Sequence, residues 1–360
     1  MIFKYISYVK LGSTAAQARQ VESMIEHFDK IFQNFQFIGP ACDLNFPYCN
    51  YKKLVLASGK LSKLEFSLRA IKDIKKASFI YTRDALISII AFALSKPSIY
   101  ELHKEPTLIG LLLIYIQKQS IKKKSKRKIY ICVISNALQK FLIKKFGVQK
   151  EFILVSHDGG KENKNEENKK NIRQFFLHSN PEKIILHTGS AGPGRGIDLF
   201  ESILKNFPRI AILHIGGSIK DINEYQKKNW TKKYSSRFVM KSHMNQQKLF
   251  EYQISADLLI FPMTRKVKTY WCCSPLKIFD YMSTGKNIIC SEIGSLKEIL
   301  DDTETFFFDP DDEKSLLRAT YDGLNDPHTK GHNAKQKFLN HFLWEHRAEK
   351  IKKFISLNEN

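Results

Sequence analysis

Residues 129–147 read Ile129-Tyr-Ile-Cys-Val-Ile134-Ser-Asn-Ala-Leu-Gln-Lys-Phe-Leu-Ile-Lys-Lys-Phe-Gly147, and this pattern decides the fold. The first six residues are apolar or aromatic and mostly β-branched, as in a strand buried on both faces. Ser135-Asn136 then opens a helix that carries Leu138, Phe141, Leu142 and Phe146 on one face, and Gly147 stops it. The same rhythm returns in the second half of the chain. Strands are expected at Ile184–Thr188, Ile210–Ile215, Leu258–Phe261 and Asn287–Cys290, and helices at Asp198–Asn206, Gln246–Ser255 and Pro275–Ser283. Strand–helix alternation of this kind predicts parallel sheets flanked by helices. No internal repeat stands out.

The chain has 360 residues, more than one ordinary core accommodates. Lys161–Asn171 (KENKNEENKKN) has no apolar residue and cannot join a core, so it is the expected connector. Two doubly wound parallel-sheet domains follow, residues 1–165 and 172–342, with a helix over about 343–360 able to pack back on the first. A ligand is expected where strand ends face the cleft between them. The longest apolar run, Thr107–Ile116, is half of a bilayer span, and the start MIFKYISYVK has no secretory pattern, so a cytoplasmic location is expected. Cys42, Cys49, Cys132, Cys272, Cys273 and Cys290 form neither a CxxC pair nor a zinc pattern, and free thiols are expected.

Lys and Arg number 58 against 36 Asp and Glu, a net charge of +22. The surplus is 15 in residues 1–160 and 7 in the rest. It is densest at Lys122-Lys-Lys-Ser-Lys-Arg-Lys128. Such a surface attracts polyanions: nucleic acid, anionic lipid or a phosphate-bearing small molecule.

Two segments carry the chemistry. In Ser274-Pro-Leu-Lys-Ile-Phe-Asp-Tyr-Met-Ser-Thr-Gly285, Ser274 suits an N-cap, Pro275 a first helical position and Gly285 a stop. Free amides there attract phosphate, and Lys277 is a cation in a first turn, where it is electrostatically misplaced unless an anion binds nearby. Asp280, one turn on, could accept hydrogen bonds from ribose hydroxyls; a solvated Lys277–Asp280 pair is the simpler alternative. In Thr188-Gly-Ser-Ala-Gly-Pro-Gly-Arg-Gly-Ile-Asp198, the glycines let backbone approach a ligand, and Arg195 could neutralise a diphosphate, although the GxGxxG pattern is absent. Two cations converging on one diphosphate stabilise a leaving nucleoside diphosphate without metal.

With these residues in view, SPLKIFDYMSTGKNIICSEIGSLKEIL resembles the nucleotide-binding signature of family 4 glycosyltransferases, retaining enzymes of the two-domain GT-B type. Arg195-Gly-Ile-Asp198, Ser255-Ala-Asp257 with Phe261-Pro262, Ile80-Tyr-Thr-Arg83, Ile99-Tyr-Glu-Leu-His103, Val133-Ile-Ser-Asn-Ala-Leu138, His157-Asp-Gly159 and Trp344-Glu345 resemble further family blocks in the same order, from about residue 78 to 355. The resemblance implies transfer of a sugar from a nucleoside-diphosphate (NDP) sugar to an acceptor hydroxyl with retained configuration. It implies that Lys277 and Arg195 hold the diphosphate, that Gly189, Ser190 and Ser274 to Leu276 (Ser274, Pro275, Leu276) offer amides to the donor, and that Asp280 binds ribose. His103 would reach the donor sugar, with Glu101 supporting its loop or lying on the acceptor side. The family's paired glutamates are altered: Cys272 stands at the first position and Asp280 at the second.

Asp309-Pro-Asp311 has the spacing of a metal-binding DxD, but it precedes a helix and is expected to cap it, so no metal and no cofactor beyond the NDP-sugar is expected. Gly12, Ser13 and Thr14, taken to end the first strand, are acceptor-side candidates. Thr107–Ile116 with Lys118–Lys128 reads either as an interfacial helix docking on anionic lipid, where a lipid-linked acceptor resides, or as a core helix with a basic loop. The leading expectation is thus a metal-independent, retaining glycosyltransferase acting on a cell-surface glycan or its lipid-linked precursor. Its alternatives are a basic nucleic-acid-binding protein, for which no recognisable motif accompanies the charge, and an epimerase or phosphorylase of the same architecture.

Overall fold

The computed structural model describes residues 1–13, 15–42, 50–57, 59, 61–124, 128–163 and 169–358. Thr14, Cys49, Ser125 to Arg127 and residues 164–168 of the expected connector lie outside the described residues. The chain forms two compact units, Met1–Asp158 with Trp344–Asn360, and Gly159–Leu343. The division falls at Asp158, just before the polar connector.

In the first unit the strands are β1 (Phe3–Ile6), β2 (Phe35–Pro40), β3 (Asn50–Leu54), β4 (Phe79–Thr82), β5 (Ser98–Leu102), β6 (Ile129–Val133) and β7 (Ile153–Val155). They form one all-parallel sheet in the order β3-β2-β1-β4-β5-β6-β7. Its helices are α1 (Ala16–Ile31), α2 (Ser62–Arg69), α3 (Ile71–Lys76), α4 (Ala85–Ala93), α5 (Leu108–Lys122) and α6 (Asn136–Phe146). The deciding stretch behaves as its pattern dictates. All five residues of β6 are buried, Ser135 Oγ accepts from Leu138 N, and Gly147 ends α6 at φ +62°. Residue 147 must be left-handed there, which a side chain would disfavour. β1 ends at Ile6, earlier than expected, so Gly12 and Ser13 belong to a longer loop whose Gly12 N donates to Glu22 Oε1 at 2.6 Å.

The second unit holds β8 (Lys183–Thr188), β9 (Ile210–Ile215), β10 (Phe238–Lys241), β11 (Leu258–Phe261), β12 (Ile288–Ser291) and β13 (Phe306–Phe308), all parallel in the order β10-β9-β8-β11-β12-β13. Around it lie α7 (Phe200–Asn206), α8 (Ile219–Gln226), α9 (Asn229–Lys233), α10 (Gln246–Gln253), α11 (Leu276–Met282), α12 (Glu313–Asn325) and α13 (Thr329–His341). Strand residues alternate between faces. Leu186 and Leu213 therefore join a core with Ile278 and Phe279 of α11, while Ile185 and Ile212 join another with Phe200 of α7. The last helix, α14 (Trp344–Asn358), packs against α1 of the first unit. Cys42, Cys132, Cys272, Cys273 and Cys290 are free thiols.

Candidate active site

Each unit carries one polar centre, built where its strands end. In the second unit β8 runs out at Thr188 and the chain turns through residues 189–196. Gly196 (φ +76°) has no room for a Cβ, which would strike the carbonyl of Pro262 beyond β11, so the loop lies directly on that strand end. Tyr281 of α11 ties the same place together: its hydroxyl accepts from Thr188 N at 2.8 Å and donates to Ile260 O at 3.3 Å. That anchor fixes α11 so that Lys277, one turn earlier, lies over the end of β8.

Lys277 Nζ is 3.2 Å from His187 Nε2 and 5.4 Å from the centroid of the Phe261 ring. Gly189 (φ +120°) leaves its path open, since a Cβ there would collide with Nζ. Burial, then the positive charge of Arg195, bring the lysine down to about 7, with Asp280 opposing them. Arg195 lies partly exposed in the loop after β8. Ser190 is exposed in the loop, while Pro275, Leu276 and Asp280 are partly exposed on α11.

Two expectations need correction. Ser274 is not the N-cap: Pro275 occupies that position in the extended region (φ −73°, ψ 119°), makes no side-chain cap bond, and the helix begins at Leu276. Because Pro275 is itself extended, the first helical residue is Leu276 and Ser274 lies one position too early to cap it. Cys272, at the family's first glutamate position, is fully buried. Asp309 and Asp311 do not cap the helix either. Both pair with Arg265, Asp309 Oδ1 at 2.9 Å, and the cap of α12 is Asp312, which accepts from Lys314 N.

In the first unit Glu101 of β5 is the hub. Its Oε1 accepts from Gln20 Nε2 at 2.5 Å and Arg347 at 2.8 Å, and lies 2.5 Å from His103 Nε2. Gln20 Nε2 also donates to Asp158 Oδ1 at 2.7 Å, Arg83 donates to Gln20 Oε1, and Arg347 donates to the carbonyls of Ser156 and His157. Burial works to raise Glu101, but His103 and Arg347 outweigh it and hold the carboxyl well below the usual range. His103 is lowered by burial and Arg83 against the pull of Glu101, and Asp158 is raised by burial. Glu101 is too deeply buried to touch an acceptor; it holds His103 instead. Glu101, His103 and Asp158 have ligand atoms within 4.8 Å of one another, but the guanidinium groups of Arg83 and Arg347 already supply the positive charge a metal would bring.

Gln20, Arg347 and Tyr281 escaped the sequence reading, because a lone Gln, Arg or Tyr on an amphipathic helix carries no spacing signature. For Tyr281 a signal existed: it lies four residues after Lys277, on the same helical face.

Residues 182–326 match the model of the family described as Glycosyl transferases group 1. Among solved structures, the chain is similar to Anabaena Alr3699/HepE in complex with UDP and glucose, at 14% identity and TM-score 0.74, covering 99% of both chains. It is similar to the sucrose-phosphate synthase of Thermosynechococcus elongatus (16% identity, TM-score 0.71, 99% of this chain and 98% of that one). A third is WaaG, a glycosyltransferase involved in lipopolysaccharide biosynthesis (10%, 0.66, 98% and 99%). The shared fold is GT-B. No curated protein sequence matches the chain.

Proposed function

We propose that this glycosyltransferase, matched by the group 1 family over residues 182–326, moves a sugar from an NDP-sugar to a hydroxyl of a cell-surface glycan or its lipid-linked precursor, retaining the anomeric configuration and using no metal. The observation that carries the reading is Lys277 at the end of β8, its Nζ lying against Gly189 of a glycine-lined loop that also bears Arg195. Burial and the charge of Arg195 disfavour the ammonium form of Lys277, and a diphosphate beside it relieves that penalty. Gly189, Ser190 and residues 274–276 then offer backbone to the donor, and Asp280 takes the ribose. UDP in the Anabaena HepE structure and the lipopolysaccharide role of WaaG support the donor and acceptor classes.

Thermal-shift screening against UDP, GDP, ADP, TDP and CDP tests the reading. At least one is expected to raise the melting temperature of the native chain and not of Lys277→Ala; no shift with any of the five overturns it. Sugar transfer with NDP release only in the presence of acceptor separates a transferase from an epimerase.

A lipid-linked acceptor also suits the outer face of the first unit. Leu108, Leu112 and Tyr115 of α5 are 86%, 51% and 60% exposed, while Leu113 and Ile114 face the core. Lys122, Lys123 and Lys124 follow, all exposed. The helix is thus both a core helix and an apolar outward face with a basic flank, the combination that docks on anionic bilayers. No described helix is long and apolar enough to cross a membrane.

A further inference from the structure

Behind Lys277 lie two histidines that the reading above does not use. His187 of β8 and His214 of β9 are register partners on neighbouring parallel strands, 1% and 0% exposed, with their Nδ1 atoms 2.8 Å apart. His214 Nε2 is 3.1 Å from Gly216 O. The chemistry of that last contact orders the whole chain. A carbonyl only accepts, so His214 carries its proton on Nε2, and its Nδ1 is the acceptor. The Nδ1 facing it must then belong to a donor, which puts the proton of His187 on Nδ1 and leaves His187 Nε2 as acceptor. Lys277 Nζ, 3.2 Å away, is the donor to it.

We propose that His187 and His214 form a neutral, tautomer-locked relay that positions Lys277 at the diphosphate and makes nucleotide binding take up a proton. This rests on the diphosphate reading of the same site. The relay runs across the sheet. Lys277 comes from a helix packed on the Leu186 face, passes Gly189 at the strand end, and meets a histidine on the Ile185 face. Among the described residues, the charged groups acting on Lys277 are Arg195 and Asp280. From the β8 strand it meets His187, with His214 behind it on β9; from the loop after β8, Arg195; from β11, only the Phe261 ring; and from its own helix, Asp280. Burial and the neighbouring cations keep both histidines neutral, His214 down to about 3. The lysine is the one member able to change charge near neutrality. A diphosphate arriving beside it draws a proton from solvent onto Nζ, and the fixed acceptor at His187 keeps the ammonium aimed.

Two measurements on the full chain test this. Long-range ¹H–¹⁵N spectra of histidine-labelled protein, assigned with His187→Gln and His214→Gln, are expected to show His187 protonated on Nδ1 and His214 on Nε2, with neither ring titrating down to pH 5. Calorimetry with UDP as the probe, from pH 7.5 to 9 in buffers of different ionisation enthalpy, is expected to show proton uptake approaching one per UDP. UDP affinity should fall by up to tenfold per pH unit; its terminal phosphate, ionising near 6, is already charged there. His187→Leu, which removes the acceptor, should move the onset of that fall down by about one pH unit, and His187→Gln, whose amide oxygen can accept, should restore most of it. Opposite tautomers, or UDP binding with no proton uptake, would overturn the relay. So would a His187→Leu protein that melts lower but keeps the native pH profile. Expected tautomers with no UDP binding at any pH would overturn the diphosphate reading and, with it, the relay's part in binding.

Discussion

Lys277 reaches its histidine partner through the space that a side chain on Gly189 would occupy. The two residues are 88 positions apart in sequence and belong to different motifs, yet neither arrangement works without the other. Gly189→Ala adds a methyl group in the lysine's path at a φ of +120°, a conformation costing about 1–3 kcal/mol for a residue with a side chain. We expect UDP affinity to fall at least tenfold by calorimetry, with a loss of a few degrees in melting temperature. Unchanged affinity would show that Lys277 does not need this path.

Lys277→Ala should weaken nucleoside diphosphate binding by about 1.5–3 kcal/mol, the range for a hydrogen bond to a charged group. Because Gly189 acts through Lys277, the two losses should not add: with Ala at position 277, Gly189→Ala should cost little further binding. Strict additivity in this double-mutant cycle would separate the loop from the lysine.

The sequence carried the parallel sheets, the glycine loop and the lysine-bearing helix, because apolar periodicity and turn residues are local signals. Where it misled, long-range packing had decided. The cap moved from Ser274 to Pro275 on α11, the helix that the Tyr281 hydroxyl anchors to Thr188 and Ile260, and the acidic pair at Asp309 and Asp311 was claimed by Arg265, 44 residues earlier for the first of them. The centre around Glu101 was the least legible part. Its members come from α1, β5, α14 and the segments after β4, β5 and β7, and no window of sequence holds more than two or three of them.

Arg347 is 2% exposed in its side chain and bridges Glu101, Asp158 and two backbone carbonyls. Arg347→Ala leaves buried carboxylates uncompensated and should destabilise the first unit by about 3–5 kcal/mol, read from the urea midpoint. Glu101 sets the pH sign. Its folded value lies below the unfolded one of about 4.3, so its stabilisation is present above that value and lost as pH falls towards the folded value. The acid limb of the stability profile should flatten in the double variant Arg347→Met with Glu101→Leu. An Arg347→Ala protein as stable as the native chain would remove the network from the account of the fold.

Transfer should persist in excess EDTA, and Asp309→Asn with Asp311→Asn should leave its rate within about twofold, since exposed ion pairs such as those with Arg265 contribute little. Loss of activity in EDTA that Mg²⁺ restores would overturn the metal-free mechanism. If the same loss followed from the two Asn substitutions, the pair would be its ligand set.

Apolar side chains of the first unit are exposed on α2 as well as on α5. Leu64 and Leu68 of α2 are 46% and 55% exposed, Leu61 just before them 73%, and α2 joins α5 through α3 and α4, each packed on the next. Burying such residues at about 25 cal/mol per Å², with about 1 kcal/mol for each lysine near an anionic surface, gives reversible attachment that salt weakens. Leu112→Glu with Tyr115→Glu should abolish flotation with vesicles containing phosphatidylglycerol. Lys122, Lys123 and Lys124 changed to Gln should weaken it and remove its salt dependence. Both sets should leave transfer to a soluble acceptor intact, because these side chains point away from the core that carries Glu101 and His103. Flotation on neutral vesicles equal to that on anionic ones would rule out the electrostatic half. Activity falling in step with flotation on a soluble acceptor would place these residues in the acceptor site rather than at a membrane.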